Sequence, residues 1–203
     1  METDVTMAKQ MMDRRTSIGS QRNPASEEAI LAAAEAILME GGLSAFTIEA
    51  VARRAKAGKP TIYRWWLSKA ALLLDVYHRQ KDVIPHPDTG NVEQDLTQFL
   101  TGLLAFWRDG GSGSVFRSVI AEAQTDEAAA NALSLYAAER RAQTGQMIRD
   151  AQARGEVRGD VDPELVAEML SSFAWSRLLT NRLDAAKEEI EAVVKTILDG
   201  IRG

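Results

Sequence analysis

Apolar side chains recur at every third or fourth position along most of the chain, and this spacing constrains its fold more than any other feature. Ile30, Leu31, Ala34, Ile37 and Leu38 begin the pattern, which continues almost to the C-terminal end. Such spacing places apolar residues on one face of an α-helix, whereas a half-buried strand needs strict alternation. We find no convincing alternating segment and no internal repeat. The sequence therefore predicts an all-α protein.

Capping residues, glycines and prolines divide this pattern into separate helices. Gly41-Gly42 is expected to stop the first helix, and the turn at Lys56-Ala57-Gly58 limits the second to two or three turns. Asp109 to Gly113 is expected to interrupt the C-terminal pattern, with a short helix around Phe116. The other predicted helix starts are Pro24 or Ser26, Thr47, Gly58, Ser68, Asn91, Thr125, Asp162 and Asp184.

Charge is distributed unevenly along the chain. Residues 44–81 contain eight basic and two acidic side chains, whereas residues 82–203 contain 12 basic and 20 acidic ones. A short basic block attached to a larger acidic one indicates two parts with different partners, although a merely solvated basic face is the alternative. We predict a disordered arm over residues 1–23, a basic helical domain over residues 24–81 and a second helical domain over residues 82–203.

Several classes of protein are disfavoured by what the sequence lacks. It has no cysteine, and Pro85 separates His86 from His78, the only other histidine, so neither a metal site nor another cofactor is expected. No nucleophile and base, or pair of carboxylates, suggests an enzyme. The glycines of residues 110–114 follow a helix instead of a strand, which argues against a phosphate loop. With no apolar run of about 18 residues and no signal-like start, we expect a cytoplasmic protein without a membrane partner.

The paired tryptophans Trp65 and Trp66 follow the turn at residues 56–58. Two short helices joined by a three-residue turn in a basic block indicate a helix-turn-helix. At about 100° per residue, Ile62 and Trp66 share the face that packs on the preceding helix. The opposite half of the second helix carries Pro60, Thr61, Arg64 and Trp65, with Lys59 and Tyr63 at its edge.

These outward side chains can form the hydrogen bonds and apolar contacts by which proteins recognise duplex DNA. Arg64 can donate twice to a guanine edge, and Trp65 or Pro60 can contact a thymine methyl group beside Thr61. The side chains placed for phosphate contact are Thr47, Lys59, Tyr63 and Lys69. The alternative for Trp65 is that its ring packs on a neighbouring domain or on the side chain of Arg64 or Lys69.

The runs Phe46 to Ala55 and Lys59 to Trp66, followed by Ser68-Lys69 and Leu72, strongly resemble the DNA-binding domain of the TetR family of bacterial transcriptional regulators. The resemblance implies three N-terminal helices, a fourth linking helix, and a larger helical domain that dimerises and binds a small ligand. Lys56 stands where the family usually has glycine, at a turn position that favours positive φ. There it adds a positive charge to the predicted DNA-contacting set.

The resemblance also predicts a dimer interface and a ligand site in the C-terminal domain. The last two long helices, from Pro163 to Leu179 and from Asp184 to Leu198, are expected to form a homodimer as a four-helix bundle. Arg117, Gln124, Gln143 and Arg177 are possible polar anchors for a small effector. Taken singly, each candidate lining residue is better explained as plain core or dimer interface, but as a set they suggest an apolar cavity. They are Phe99, Leu103, Phe106, Trp107, Phe116, Tyr136, Met147, Met169, Phe173 and Trp175.

Together these features predict a ligand-responsive DNA-binding regulator. We expect a repressor that binds a near-palindromic operator in double-stranded DNA as a dimer and is released by a hydrophobic or aromatic effector. A ligand-independent DNA-binding regulator, or an activator of the same fold, is the alternative.

Overall fold

The computed structural model describes residues 23–81 and 86–201, and all regular structure in these two ranges is α-helical. The prediction of an all-α protein is confirmed. Residues 1–22 of the predicted arm, and Pro85, lie outside the described residues. The helices are α1 (Pro24–Ala45), α2 (Ile48–Ala55), α3 (Lys59–Trp65), α4 (Lys69–Lys81), α5 (Val92–Asp109), α6 (Ser112–Ala123), α7 (Glu127–Ala153), α8 (Pro163–Leu179) and α9 (Lys187–Ile201).

The first three helices enclose a small apolar core. Ile30 on α1, Val51 on α2 and Ile62 on α3 are completely buried, and Phe46 between α1 and α2 is almost so. Each comes from the apolar stripe of its helix, which explains why three short helices can hold together. The stop at Gly42 occurs as a kink, with φ of 63° and ψ of −163°, after which one more turn continues to Ala45.

Three boundaries in the C-terminal part differ from the predicted ones. Asp126 caps α7 by accepting from the backbone N–H of Ala129 at 2.7 Å, whereas the Thr125 hydroxyl donates to the carbonyl of Glu122. Asp126 is the cap instead of Thr125 because its carboxylate reaches the free N–H groups of the first turn. Only Gly110 and Gly111 separate α5 from α6, and α9 begins at Lys187, three residues later than expected.

Helix α4 joins the two halves of the molecule. It packs against α1 on one side and against α6 and α7 on the other. Leu72, Leu73, Val76 and Tyr77 are fully buried, so this helix is apolar on more than one face. The predicted cap is confirmed, because Ser68 Oγ accepts from the N–H of Ala71 at 3.0 Å. A displacement of α4 would therefore change helix packing in both domains.

Replacing Gly113 with alanine is expected to lower the free energy of unfolding by about 1–2 kcal/mol, even though alanine favours a helix. An added Cβ would lie 2.6 Å from the carbonyl oxygen of Trp107 and 3.2 Å from the Leu178 side chain. Urea denaturation followed by circular dichroism measures this loss. Gly159→Ala is the matched control, since nothing lies within 4 Å of the Cβ it adds. Equal losses in the two variants would contradict the close approach of α5 and α6.

Candidate nucleic-acid interface and effector cavity

The turn between α2 and α3 has the conformation expected of a helix-turn-helix. Lys56 ends α2 in the left-handed region, with φ of 51° and ψ of 36°, which confirms the positive φ predicted there. The N–H of Ala57 donates to the carbonyl of Ala52 at 2.9 Å and closes the helix end. Gly58 caps α3 without a side-chain hydrogen bond, and Pro60 occupies its first turn.

The second tryptophan of the pair belongs to the core, as predicted. Trp66 is 2% exposed, and its indole N–H donates to Asp75 Oδ2 at 2.6 Å. Asp75 lies on α4, so this hydrogen bond ties the end of α3 to the linking helix. It also gives a structural role to one of the two acids in the basic block.

The first tryptophan is less exposed than expected. Trp65 is half-buried, with its ring edge-to-face on Trp66 at a centroid distance of 5.8 Å. The Arg64 guanidinium carbon lies 5.8 Å from the centroid of the same ring. Helix α3 ends at Trp65, and the extended backbone of Trp66 keeps the two indoles in contact. The packing alternative is therefore partly correct: the Trp65 ring contacts Arg64, while part of the side chain stays exposed.

The structure leaves most of the predicted DNA-contacting side chains at the surface. Thr61 and Lys69 are half-buried like Trp65, and the Lys69 ammonium lies 5.8 Å from the Phe46 ring centroid. Thr47 Oγ1 accepts from the N–H of Ala50 at 3.0 Å as the cap of α2, which leaves its hydroxyl hydrogen available to donate. The exposed members are Thr47, Lys56, Lys59, Pro60, Tyr63 and Arg64.

Carboxylates partner some of the basic side chains in this region but not others. Lys59 Nζ lies 2.9 Å from Glu49 Oε1, and hydrogen bonding to that carboxylate raises the pKa of Lys59. Arg54 binds Glu40 in the same way. Within residues 23–81 and 86–201, Arg53, Lys56, Arg64 and Lys69 make no ion pair. Their charge remains available for a polyanion.

A cavity of about 50 Å³ lies in the C-terminal domain, among α4, α5, α6, α7 and α8. Six of the ten lining residues predicted for an effector site contribute to it. The residues around it are Lys81, Phe99, Leu103, Trp107, Phe116, Tyr136, Ala137, Arg140, Thr144, Ser171 and Trp175. Pockets for drug-sized ligands usually measure about 300–1,000 Å³, so the cavity is too small for such a ligand in this conformation.

Four of the predicted lining residues lie elsewhere. Phe106 contacts Tyr77 edge-to-face at a centroid distance of 5.5 Å, and Met147 is buried outside the cavity wall. Met169 is 48% exposed on α8. Phe173 is half-buried, and the Arg177 guanidinium carbon lies 4.9 Å from its ring centroid.

The four suggested polar anchors also lie outside the cavity. Arg117 donates to the carbonyl of Leu178, and Arg177 donates to the carbonyl of Arg182 and to Glu189, so both hold the fold together. Gln124 donates to a carbonyl one turn back in α6, and Gln143 donates to Glu139.

Sequence reasoning missed the polar side chains that do line the cavity. Arg140 and Thr144 follow Tyr136 at intervals of four residues, and Phe99, Leu103 and Trp107 are spaced in the same way. Four-residue spacing puts side chains on one helix face. Counting in steps of four residues from Tyr136 would have identified Arg140 and Thr144 as candidate lining residues.

Helix α4 forms part of the structure behind the cavity. Tyr77 is fully buried, stacks on Phe116 at a centroid distance of 4.9 Å, and accepts from the indole N–H of Trp107 at 2.7 Å. Burial raises the pKa of Tyr77 to about 12, so it is a neutral phenol at physiological pH. A second contact joins α4 to α6: Glu122 Oε1 accepts from the N–H of Ala70 at 3.2 Å. Two cavity walls, α5 and α6, are thus bonded directly to the linking helix.

No group of three or more histidine, aspartate and glutamate side chains among the described residues is arranged to hold a metal ion. In the same part of the chain, no helix combines the length and apolarity that a membrane crossing needs.

Comparison with known proteins identifies both halves of the chain. Residues 30–76 match the sequence profile of "Bacterial regulatory proteins, tetR family", and residues 86–197 match "Tetracyclin repressor-like, C-terminal domain". The uncharacterized HTH-type transcriptional regulator YdeS of Bacillus subtilis is 31% identical, over 91% of this chain and 93% of that protein. These matches agree with the sequence expectation of a regulator that is not an enzyme.

Two further relatives extend the comparison. The DNA-binding transcriptional repressor TetR of Mycobacteroides abscessus is 27% identical, over 89% of this chain and 93% of that protein. The crystal structure of the TetR family transcription regulator SCO0332 superposes with a TM-score of 0.76 at 33% identity, covering 88% of this chain and 99% of that one.

Proposed function

The chain belongs to the TetR family of bacterial regulatory proteins, and we propose that it is a ligand-responsive repressor that binds a near-palindromic operator as a homodimer. In this proposal residues 24–81 bind DNA, and residues 82–203 dimerise and bind an effector. The observation that carries it is the cationic surface around α3, where Arg64 and Lys56 are exposed and make no ion pair within the described residues.

Helix α3 is the element we assign to the major groove. Arg64 reads a guanine edge, and Pro60 with the exposed part of Trp65 contacts apolar base edges beside Thr61. The remaining contacts go to phosphates and fix the register of the helix. They come from Thr47, Lys56, Lys59, Tyr63 and Lys69.

An exposed stripe on α8 supports dimerisation through the last two helices. Leu165, Met169, Ser172, Ser176 and Leu179 follow one another at intervals of three or four residues and are all exposed. Apolar and small residues on one helix face permit close packing against a second copy. A dimer built on this face presents two α3 helices to successive major grooves, about 34–36 Å apart.

The small volume of the cavity suggests how an effector is sensed. A ligand larger than about 50 Å³ must push its walls apart, and two of those walls are bonded to α4 through Tyr77 and Ala70. Movement of α4 changes the separation of the two α3 helices in the dimer. Coupling of this kind is typically about 1–3 kcal/mol, which gives graded release from DNA.

The proposal that this protein represses transcription, instead of activating it, is based on one relative. The similar protein named a DNA-binding transcriptional repressor supports repression for this chain. A ligand-independent regulator, or an activator, would share the same α3 surface. A reporter gene placed behind the bound operator distinguishes repression from activation, because expression falls in the first case and rises in the second.

The DNA-binding part of the proposal is tested by selecting bound sequences from a random duplex pool. We expect a near-palindromic consensus and an affinity that decreases steeply as salt is raised. Size-exclusion chromatography with light scattering measures the dimer in the same preparation. Absence of any salt-dependent affinity for duplex DNA would refute the proposal.

Lys69→Ala is expected to weaken binding to all duplex sequences alike and to reduce the slope of log affinity against log salt by about 1. The reason is that a phosphate contact carries no base information. Fluorescence anisotropy at several salt concentrations, with the selected operator and a scrambled duplex, measures both effects. Arg158→Ala, in the loop before α8, is the control and should change neither slope. A loss confined to the operator would contradict the phosphate assignment.

A further inference from the structure

The basic block over residues 44–81 contains a single exposed acid, Glu49. The only other acid of this block, Asp75, is half-buried and accepts the Trp66 indole N–H. Glu49 lies in the first turn of α2, and 62% of its side chain is exposed. A carboxylate there suits the helix dipole, but an exposed ion pair adds little to stability. Stability therefore gives little reason for an acid among so many bases.

Glu49 lies beside the N-terminal end of α3. Its Oε1 is 2.9 Å from the Nζ of Lys59, the first residue of that helix. The same two side chains line one shallow depression of the surface together with Arg53 and Lys56. In helix-turn-helix proteins, the N-terminal residues of the recognition helix contact base edges. The Glu49 carboxylate is therefore close to the bases when α3 enters the major groove.

The ion pair with Lys59 makes this carboxylate compatible with DNA. Phosphates repel an isolated carboxylate, whereas the ammonium of Lys59 offsets the charge. Hydrogen bonding to Lys59 also lowers the pKa of Glu49, which is therefore ionised at neutral pH. A carboxylate can accept about four hydrogen bonds, and an ammonium can donate about three. Glu49 thus retains acceptors for a base while Lys59 still donates to a phosphate.

We propose that Glu49 reads a cytosine of the operator by accepting a hydrogen bond from its exocyclic amino group. This inference rests on the proposed function, because it adds a base contact to the same DNA-binding surface. Cytosine N4 is the major-groove donor that a carboxylate accepts, whereas guanine O6 and N7 and thymine O4 are acceptors that it repels. Adenine presents a donor beside an acceptor, a pattern that suits an amide better.

Selection of duplexes from a random pool, by the unmodified protein and by Glu49→Gln, tests this contact. Anisotropy titrations with single-base variants then measure the preferences. The unmodified protein should prefer cytosine over guanine at one position of each half-site by about tenfold or more. Glu49→Gln should lower this preference to about threefold or less and accept adenine there, because an amide offers a donor and an acceptor. An unchanged cytosine preference would overturn the inference.

Glu40→Gln is the matched control. Glu40 pairs with Arg54 at 2.6 Å, and its side chain is also 62% exposed, but neither residue belongs to the proposed DNA-contacting set. This variant changes the net charge by the same amount as Glu49→Gln and should keep the cytosine preference. Equal losses of preference in the two variants would show an effect of net charge alone and would overturn the inference.

Lys59→Gln distinguishes the two members of the ion pair. It should weaken binding to all duplexes alike and keep the cytosine preference, since a phosphate contact carries no base information. Loss of the preference in Lys59→Gln but not in Glu49→Gln would assign this base pair to the lysine, through the guanine of the opposite strand. That result would also overturn the inference.

Arg64→Ala separates this inference from the proposed function. If Arg64→Ala loses discrimination at its own position while Glu49→Gln loses none, the contact assigned to Glu49 is wrong and α3 remains the DNA-reading helix. If the unmodified protein binds no duplex, the proposed function itself fails, and the cytosine contact fails with it.

Discussion

Trp66→Ala is expected to lower the free energy of unfolding by about 3–5 kcal/mol, the largest effect of any single substitution considered for this protein. The indole is 2% exposed and belongs to the apolar core, so its removal leaves a cavity in a core built from short helices. The substitution also leaves Asp75 without the indole donor at 2.6 Å. Urea denaturation followed by circular dichroism measures the change.

The neighbouring indole provides a matched control. Trp65→Ala removes a side chain of the same size from a half-buried position, and we expect a clearly smaller loss. Trp66→Phe keeps an aromatic ring but not the N–H, and we expect a loss of about 1–3 kcal/mol from the missing hydrogen bond to Asp75 and the smaller ring. Equal destabilisation by Trp65→Ala and Trp66→Ala would contradict the division of the pair into a core residue and a surface residue.

Arg64→Ala is expected to weaken binding to the selected operator by about 1–3 kcal/mol and to relax base choice at one position of each half-site. Arg64 is exposed on α3, and no carboxylate of the described residues pairs with it, so its donors are available to a guanine edge. Anisotropy titrations at fixed salt, with the operator and with single-base variants, measure both effects.

Two further variants test the role assigned to Arg64. Arg64→Lys keeps the charge but loses the planar pair of donors, so it should retain non-specific affinity while losing discrimination. Arg158→Ala removes an exposed guanidinium from the loop before α8 and should leave DNA binding unchanged. An Arg64→Ala protein with unchanged affinity and unchanged base preference would show that another side chain reads the operator.

The N-terminal domain could be predicted in detail because its determinants are local. The cap at Ser68 and the burial of Ile62 and Trp66 each follow from residues within a turn or two, and the resemblance to the TetR family implied the positive φ at Lys56. The partial burial of Trp65 did not follow, because it depends on where α3 ends and on the backbone direction of its neighbour. The nine proposed DNA contacts stay predictions until binding is measured.

The effector cavity was harder to predict because its walls come from five helices far apart in sequence. Composition identified aromatic residues, but Met169 and Phe173 lie on parts of α8 that do not face the cavity. The cationic pair, Lys81 and Arg140, is separated by 59 positions in the sequence and meets only when α4 packs on α7. No local pattern relates these two residues.

The sequence by itself determined the helices, the turn between α2 and α3, and the outward chemistry of α3, since helical periodicity and capping act over a few residues. The tertiary structure decided which aromatic rings converge, that the cavity measures only about 50 Å³, and that Lys81 and Arg140 both line it. Those properties depend on how helices pack against each other, and the packing angle of distant segments is fixed only when the whole core has formed.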